Sequence, residues 1–311
     1  MMNLILRLLS VCLLVGSACA ETDNSVSANN PTRVKVVVSG DVQFRSGWDY
    51  WSGGLAKRKP VIAGLASEKA DVVLLNGDLV EKGADISDWK MFDEEMKPLI
   101  ENTPLFLASI GNHDVKGNND KALDNFFGRI KAAKGHRYYS LQRGPILFLI
   151  LNSNEPLNPG SPQRKWVADQ LAAVPNSVKY VVTSMHHPMR TRSRQRGLTR
   201  GHEVLPEHKE FGTWLESIGE KAPYRIISFS GHVHNYERYP SDGVMFIVSG
   251  GAGGRPHDVE RVPGDAYTGT GPTYHYCILQ ATASELRFVM RHYDTSQQTW
   301  SDGDSFTLKA K

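Results

Sequence analysis

The sequence predicts an α/β fold in which two mixed β-sheets face each other and helices flank them. With 311 residues, the chain is long enough for one large domain with a substantial core. Up to about residue 230, short apolar runs alternate with segments of helical periodicity, which is typical of sheets that contain parallel strands. After residue 244 the pattern changes to strands alone. The first pattern predicts layers of helices, and the second predicts a strand-rich tail.

The first part of the chain contains three strand-to-loop units. Strands are predicted over residues 34–38, 71–75 and 105–110, because each run is apolar and each ends beside an Asp or Asn. Residues 55–68 and 87–101 have the character of helices between these strands. We expect the loops after the strands to gather along one edge of the fold, where α/β sheets hold their sites.

The rest of the chain continues this alternation and then turns to strands. We predict strands at residues 145–151, 179–184 and 225–230, helices at residues 162–173 and 206–219, and tail strands at residues 244–249, 274–279, 285–293 and 305–308. No internal repeat and no second domain is evident in the sequence. Residues 32–311 are therefore predicted to form a single domain.

The N-terminus has the character of a secretory signal. Arg7 supplies positive charge, residues 8–16 form a short apolar core, and the small-residue run at 18–20 fits a cleavage site. Residues 1–20 are therefore predicted to be a signal peptide, and the polar residues 21–31 a linker. The expected location is the periplasm or the outside of the cell.

A lipoprotein signal is the competing interpretation, with Cys19 acylated. Gly16 occupies the position three before that cysteine, where a larger aliphatic residue is usual, and this favours soluble export. Cleavage would leave Cys277 as the only cysteine, so no internal disulfide is expected. Cys277 lies in an apolar run, and core packing is its expected role.

Composition excludes some partners. The formal net charge of +3 is too small to predict binding to a nucleic-acid duplex or to a membrane surface. No internal apolar stretch approaches the roughly 20 residues that a membrane-spanning helix needs.

Five short motifs follow predicted strands, and all carry side chains that bind metals. They are Gly40-Asp41-Val42-Gln43, Gly77-Asp78, Gly111-Asn112-His113-Asp114, His186-His187-Pro188 and Gly231-His232-Val233-His234. Carboxylates, imidazoles and amide oxygens suit a pair of cations that act on a phosphoryl group, and one carboxylate must bridge the pair. Asp78 is the expected bridge because it ends the second strand, among the other ligand loops. The motifs together predict one two-metal hydrolytic centre.

The order of these motifs resembles the calcineurin-like metallophosphoesterase superfamily over residues 34–238. The run at residues 231–238 (Gly-His-Val-His-Asn-Tyr-Glu-Arg) and the Gly-Gly-Ala-Gly-Gly run at residues 250–254 are similar to the purple acid phosphatase branch. The resemblance implies that metal one is held by Asp41, Gln43, Asp78 and His234, and metal two by Asp78, Asn112, His186 and His232.

The resemblance also implies the activity. A metal-bound hydroxide would attack a small phosphate ester, most readily a monoester, and Mn, Zn or Fe could serve as the two metals. His113 would protonate the leaving oxygen or stabilise charge on the phosphoryl group, with Asp114 orienting it. His187 would face the substrate or support the site. Phosphodiesters and nucleotide pyrophosphates remain alternative substrates, and a non-enzymatic phosphate or partner binder remains an alternative function.

Two positions depart from the family pattern. Many members have His where this chain has Gln43, and an amide oxygen is a weaker, neutral ligand. An Asp-x-Gln run also occurs in a Mn-dependent ADP-ribose/CDP-alcohol diphosphatase branch. Purple acid phosphatases carry Tyr where this chain has Glu81, so an Fe(III)–tyrosinate centre is not expected.

The remaining histidines lack a motif context, and packing in the core or on the surface is the expectation for each. They are His136, His202, His208, His257, His275 and His292.

Overall fold

The computed structural model describes residues 31–47, 54–193, 202–269 and 273–311. The predicted signal peptide lies outside these ranges, as does all of the predicted linker except its last residue. The domain boundaries therefore stay a prediction. Among the described residues, no helix combines the length and the apolar character needed to cross a membrane.

The described residues form twelve strands, five α-helices and one short 3₁₀ turn. The strands are β1 (Arg33–Ser39), β2 (Val72–Leu75), β3 (Leu105–Ala108), β4 (Tyr139–Arg143), β5 (Ile146–Ile150), β6 (Tyr180–Ser184), β7 (Arg225–Ser230), β8 (Tyr236–Pro240), β9 (Val244–Ser249), β10 (Tyr274–Thr282), β11 (Glu285–Asp294) and β12 (Thr299–Lys309). The helices are α1 (Gly54–Ser67), α2 (Ile86–Glu101), α3 (Asn119–Phe127), α4 (Pro162–Ala172) and α5 (Pro206–Lys221), and the 3₁₀ turn is Lys131–Ala133.

Two six-stranded mixed sheets carry the fold. The first has the order β12-β11-β10-β1-β2-β3, and the second has the order β4-β5-β6-β7-β9-β8. In the first sheet β1, β2 and β3 are parallel, whereas β10 to β12 run antiparallel. In the second sheet β5, β6, β7 and β9 are parallel and the edge strands are antiparallel. The predicted fold class is confirmed.

Strand register places the metal-binding motifs at one edge. Ser39 at the end of β1 is paired with Leu75 at the end of β2, and Leu75 is paired with Ala108 at the end of β3. In the second sheet Ser184 of β6 is paired with Phe229 of β7. Within each sheet these strands therefore end close to the same level, and the loops that follow them carry the motifs.

A buried polar link joins the two sheets directly below this edge. The Ser184 hydroxyl donates to Asn76 Oδ1 over 3.0 Å, and Ser109 Oγ lies 2.6 Å from Ser184 Oγ. Asn76 and Ser109 follow strands of the first sheet, whereas Ser184 ends a strand of the second. These hydrogen bonds satisfy buried polar groups and hold the strand ends of the two sheets together.

Apolar packing accounts for the layers. The faces of the two sheets bury one large cluster, which includes Val36, Leu74, Phe148 and Phe229. A second cluster lies between β5, β6 and β7 and the helices α4 and α5. The strands β2, β5 and β6 are buried along their whole length, which is why their sequences are nearly continuous apolar runs. Cys277 is a buried free thiol in β10, as expected for core packing.

Two strands, one α-helix and the 3₁₀ turn were not predicted, and one tail strand is much longer than predicted. Strand β4 is mostly half-exposed, and β8 begins inside the last motif, so neither has a clean apolar pattern. Helix α3 has only nine residues. Strand β12 covers eleven residues instead of the four predicted at 305–308, and its exposed polar positions owe their strand conformation to pairing with β11.

Candidate metal centre

The first two motifs form a pair of loops that are bonded to each other. The Asp41 N–H donates to Gly77 O over 3.1 Å, and the Gln43 N–H donates to Asp78 O over 2.8 Å. From α1, the Arg58 guanidinium donates to the carbonyl of Gln43 over 2.9 Å. These bonds tie the loop after β1 to the loop after β2, so that Asp41 and Asp78 are presented side by side.

The backbone at the centre is in an unusual conformation. Of the seven non-glycine residues with positive φ in the described part of the chain, four belong to the predicted ligand set: Asp41 (63°), Gln43 (45°), Asp78 (52°) and His232 (66°). A left-handed backbone is unfavourable for residues with a Cβ and persists only where the surrounding structure imposes it. Its concentration here indicates a site in which the position of each ligand is strongly constrained.

Four predicted metal-two ligands converge on one point. Nε2 of His186 lies 3.2 Å from Asp78 Oδ2, 3.0 Å from Asn112 Oδ1 and 3.3 Å from His232 Nδ1. His186 and Asp78 are almost completely buried. The four side chains come from loops after four different strands, two in each sheet.

The predicted metal-one ligands lie beside this group. Nε2 of His234 is 3.4 Å from Asp41 Oδ1, and the backbone N–H of His232 donates to the same carboxylate. One ligand atom from each of Asp41, Asp78 and His186 lies within 4.8 Å of the other two. Asp78 thus lies between the two groups, as expected of a bridging carboxylate.

Hydrogen bonds on the far side of two rings determine which nitrogen faces the centre. The Nδ1–H of His186 donates to Asn76 O over 2.9 Å, and the Nδ1–H of His234 donates to Arg255 O over 2.8 Å. Each ring therefore has Nε2 directed at the carboxylates. This arrangement, in which one ring nitrogen donates to a carbonyl and the other faces the site, is typical of histidines that bind metals.

The electrostatics also favour a cation at this point. Burial alone would lower the pKa of His186, but the charge and hydrogen bond of Asp78, with smaller effects of Asp41 and Asn76, together outweigh burial and raise it. Burial would likewise raise the pKa of Asp78, yet His186 and His113 together hold it well below its usual range. A metal ion and a proton compete for the same lone pair on Nε2 of His186. A carboxylate that favours a proton at this position therefore also favours a metal ion there. The donor set therefore fits two cations.

The close approach of Gly111 to Asp78 helps to position Asp78 as the expected bridging carboxylate. A Cβ added at Gly111 would overlap the backbone nitrogen and a carboxylate oxygen of Asp78. The absence of a side chain at Gly111 lets the loop after β3 approach the loop after β2. The His113 N–H donates to Asp78 Oδ1 over 2.9 Å, which further orients the bridge.

Gln43 and His113 contact each other. Gln43 Nε2 lies 3.2 Å from both ring nitrogens of His113. His113 Nδ1 also lies 2.9 Å from Glu81 O and 3.2 Å from Glu81 Oε2, and Lys116 Nζ is 2.6 Å from Nδ1. Burial lowers the pKa of His113, but Glu81 and Asp78 outweigh it, so the net direction is upward. Whether Gln43 binds a metal stays a prediction.

The predicted partner of His113 needs correction. Asp114 is buried, and its carboxylate accepts the backbone N–H of Leu79 and of Gly111, both over 2.8 Å. It therefore connects the loops after β2 and β3 and does not orient the ring. The carboxylate beside His113 belongs to Glu81. The family resemblance implied the role of Asp114, whereas in this structure the side chains of the consecutive residues His113 and Asp114 have different partners.

His187 lies at the rim of the metal-two group. Its ring centroid is 4.5 Å from that of His232, and its Nδ1 lies 2.8 Å from Ser153 Oγ. Ser153 Oγ also accepts the His187 N–H, so the same hydroxyl contacts both the backbone and the ring of His187. Burial, with the charges of neighbouring histidines, lowers the pKa of His187 to about 2.

Three further histidines surround the centre and were not predicted as site residues. His257 is stacked on His234 with ring centroids 4.2 Å apart, and His202 lies 5.0 Å from His232. His208 is buried against His187 at 5.6 Å. They lie in loops or at a helix start without a motif. The Gly-rich run before His257 was the one available signal that its loop approaches the site.

Comparison with known proteins agrees with this architecture. The family model described as calcineurin-like phosphoesterase matches residues 34–236, more than half of the chain. A nucleotide pyrophosphatase/phosphodiesterase from Hordeum vulgare is 24% identical over 239 residues, covering 66% of this chain and 63% of that protein. Probable purple acid phosphatase 20 from Arabidopsis thaliana is 26% identical over 216 residues, covering 66% and 46%.

A solved structure shows the same fold. The purple acid phosphatase PPD1 from yellow lupin (Lupinus luteus) seeds superposes with a TM-score of 0.69 at 22% identity, covering 89% of this chain and 54% of that one. The chain spans less than two thirds of the length of the curated relatives it matches. The match to the family model carries the assignment: the chain belongs to the calcineurin-like phosphoesterase family.

Proposed function

We propose that this protein is a two-metal phosphohydrolase that cleaves small phosphate esters, with monoesters as the preferred class. The observation that carries the proposal is the convergence of Asp78 Oδ2, Asn112 Oδ1 and His232 Nδ1 on His186 Nε2 within 3.0–3.3 Å. Four metal-binding side chains from two sheets meet there in a buried setting, with Asp41 and His234 beside them. A structural role in the core does not require this set of residues.

The residues fit two cations of the Mn, Zn or Fe type. Metal one would be held by Asp41, Asp78 and His234, with Gln43 as the weaker fourth ligand, and metal two by Asp78, Asn112, His186 and His232. When bound, the pair would neutralise charge on the phosphoryl oxygens and lower the pKa of a water molecule.

The protein groups around the centre would then bind and orient the ester. His113 lies on the Asp78 side, with the charge of Glu81 against its ring, and is suited to donate a proton to the leaving oxygen. His187 lies on the His232 side, where its ring could contact the ester. Burial of the ligand atoms limits competing water and strengthens these electrostatic interactions.

Cleavage of diesters or of nucleotide pyrophosphate bonds is the second candidate. Gln43 in place of His favours it by the resemblance to a diphosphatase branch. The relative from Hordeum vulgare that bears the name nucleotide pyrophosphatase/phosphodiesterase supports it as well. A non-enzymatic phosphate binder is the third candidate, and it would need the same residues without turnover.

We further propose that the protein is exported, with residues 1–20 removed as a signal peptide. The charge, apolar core and small-residue site of this segment support export. N-terminal sequencing of the protein recovered from the periplasm or medium tests it. A chain that begins at Glu21 is expected, and an intact Met1 in the cytoplasm would contradict export.

The test of the activity is a substrate comparison. Purified protein is stripped of metal with a chelator, reloaded with Mn, Zn or Fe, and assayed on an aryl phosphate monoester, the matching diester and a dinucleotide with a pyrophosphate bond. We expect metal-dependent turnover that is fastest on the monoester. Faster turnover of either other substrate would favour the second candidate. Orthophosphate binding without turnover of any substrate would favour the binder.

A further inference from the structure

His257 and His202 form a second layer of imidazoles over the centre. The His257 ring is stacked on His234 with centroids 4.2 Å apart and planes at 12°, and the His202 ring lies 3.9 Å from His257. His202 also lies 5.0 Å from His232. The two histidines therefore cover two of the residues that fit the metals.

The position of His257 is fixed by hydrogen bonds to the segment that carries His234. The His257 N–H donates to His234 O over 3.1 Å, and Asn235 Nδ2 donates to His257 O over 2.7 Å. The carbonyl of Arg255, two residues earlier, accepts from His234 Nδ1. Three hydrogen bonds thus join the two segments, and they hold the backbone of His257 beside His234.

A fourth bond between the two segments shows which nitrogen of the His257 ring carries its proton. The backbone N–H of His234 donates to His257 Nδ1 over 3.1 Å, so Nδ1 is an acceptor without a hydrogen. A neutral imidazole with an unprotonated Nδ1 carries its hydrogen on Nε2. Nε2 of His257 is therefore a hydrogen-bond donor and has no lone pair for a metal. This excludes His257 from the ligand set, although it lies against a ligand.

The Nε2–H donor lacks an acceptor within the described ranges, since the hydrogen bonds of His257 there involve its backbone groups and Nδ1. Nδ1 of His202 is buried and, among the residues that the structure covers, has no hydrogen-bond partner. Buried polar groups normally have a partner. Two adjacent imidazoles with unused polar atoms, held over the metal-one histidine, therefore suit a ligand that brings its own acceptors.

We propose that His257, supported by His202, is a substrate-contacting residue whose Nε2–H donates a hydrogen bond to a non-bridging oxygen of the phosphoryl group. The inference rests on the proposed function and adds a phosphate contact on the His234 side of the centre. His113 contacts Asp78 and Gln43 and would serve the leaving group. A neutral donor suits this position because it binds an anion without adding a further positive charge beside two cations.

The test uses His257→Phe, which keeps a flat ring against His234 and removes the donor. His257→Gln is the rescue variant, because its amide can place an N–H close to the position of Nε2. His136→Phe is the matched control, since His136 lies in the loop before β4 and has no contact with the centre. The readouts for the metal-loaded proteins are the Kd for orthophosphate by calorimetry, KM and kcat on an aryl phosphate, and bound metal by elemental analysis.

We expect His257→Phe to weaken orthophosphate binding and to raise KM by roughly 10-fold, the effect of losing one hydrogen bond to a charged group. Bound metal should equal that of the wild type, His257→Gln should recover part of the loss, and His136→Phe should change nothing. An unchanged phosphate Kd in His257→Phe would overturn the inference. Loss of metal from this variant would also overturn it, because His257 would then only support His234.

Failure of the proposed function is a separate result. If the wild type binds orthophosphate but hydrolyses no phosphate ester, the enzyme assignment fails, whereas weaker phosphate binding by His257→Phe would still support the contact. If the wild type binds no orthophosphate under any metal, both fail.

Discussion

Nε2 of His186 lies 3.2 Å from Oδ2 of Asp78, while Nδ1 on the other side of the ring donates to the carbonyl of Asn76. The second bond holds the ring so that Nε2 faces the carboxylate. Asn76 and Asp78 are two residues apart in the loop after β2, so one loop of the first sheet both orients His186 and presents the shared carboxylate to it. The two sheets thereby assemble the centre jointly.

Asp78→Asn should abolish hydrolysis because it removes the charge shared by the two metal groups. Changes to residues that only support metal ligands cost roughly 10–100-fold, so loss of the bridge should lower kcat/KM by more than about 100-fold. Asp124→Asn, on the exposed face of α3, is the matched control and should leave the rate unchanged. Full activity of Asp78→Asn would show that Asp78 does not bridge.

Glu81→Gln should impair His113 without weakening the fold. The carboxylate oxygen lies 3.2 Å from His113 Nδ1, and an amide in its place removes a charge that keeps the ring protonated and so ready to supply a proton. We expect turnover of an alkyl phosphate, a poor leaving group, to fall roughly 10-fold, and turnover of a nitrophenyl phosphate to fall less. Equal loss on both substrates would argue against a role in leaving-group protonation.

Asp114→Asn should act on stability instead. The two carboxylate oxygens accept three backbone N–H groups in a buried position, and an amide can accept at only one of its two ends. The expected loss in free energy of unfolding is about 1–3 kcal/mol. Urea unfolding of the metal-free protein measures it, with Glu81→Gln as the comparison. A stability equal to the wild type, combined with the leaving-group effect described for Glu81, would restore Asp114 as the partner of His113.

Gly111→Ala should displace the bridging carboxylate. The added Cβ would overlap Asp78, whereas a Cβ at Gly135 meets no atom within 4 Å. Gly135 has φ of +80°, so Gly135→Ala should cost only about 1–2 kcal/mol of backbone strain. We expect Gly111→Ala to lose bound metal in elemental analysis and Gly135→Ala to retain it. Retention of both metals by Gly111→Ala would mean that the loop after β3 can move away without harm.

His275 should make the fold sensitive to acid. It is fully buried, and burial lowers its pKa from 6.5 to about 4. The unfolded chain therefore binds a proton at a higher pH than the folded one, so stability is complete above pH 6.5 and falls as the pH drops toward 4. The loss approaches about 3 kcal/mol at the lower limit.

The measurement for His275 is urea unfolding of the metal-free protein between pH 7 and pH 4. His275→Asn does not titrate in this range. Its side-chain amide can replace Nδ1 as the donor to Thr273 O. Its stability should fall less steeply with pH than that of the wild type, whatever its stability at pH 7. Parallel curves for the two proteins would contradict the prediction.

Much of the fold follows from local patterns in the sequence. The apolar runs of β2, β5 and β6 are buried on both faces, so their composition alone predicts them. Strand ends also determine where the loops meet, which is why Asp78 and His186 could be expected together. Strands β4 and β12 could not be predicted in full, because pairing with a neighbour and not apolar content determines their extent.

The candidate site was predictable only where a side chain lies at the end of a strand. The order of the motifs predicted Asp41, Asn112 and His232 as ligands, and the structure places their side chains or backbone at the candidate centre. His257 was missed because its position depends on the path of a loop and on its bonds to the His234 segment. Asp114 was misassigned because the direction of a loop side chain depends on backbone angles that the sequence does not reveal.

Titration of the metal-stripped protein with Mn²⁺ tests the two-metal centre most directly. Calorimetry measures ion binding and hydrolysis of an aryl phosphate measures the rate over the same range of Mn²⁺ concentration. The account predicts no turnover without metal and two ions bound per chain. The rate should rise to its maximum only as the second ion binds, and Asp78→Asn should remain inactive throughout. Full turnover by the stripped protein, or a maximal rate with a single bound ion, would contradict the account.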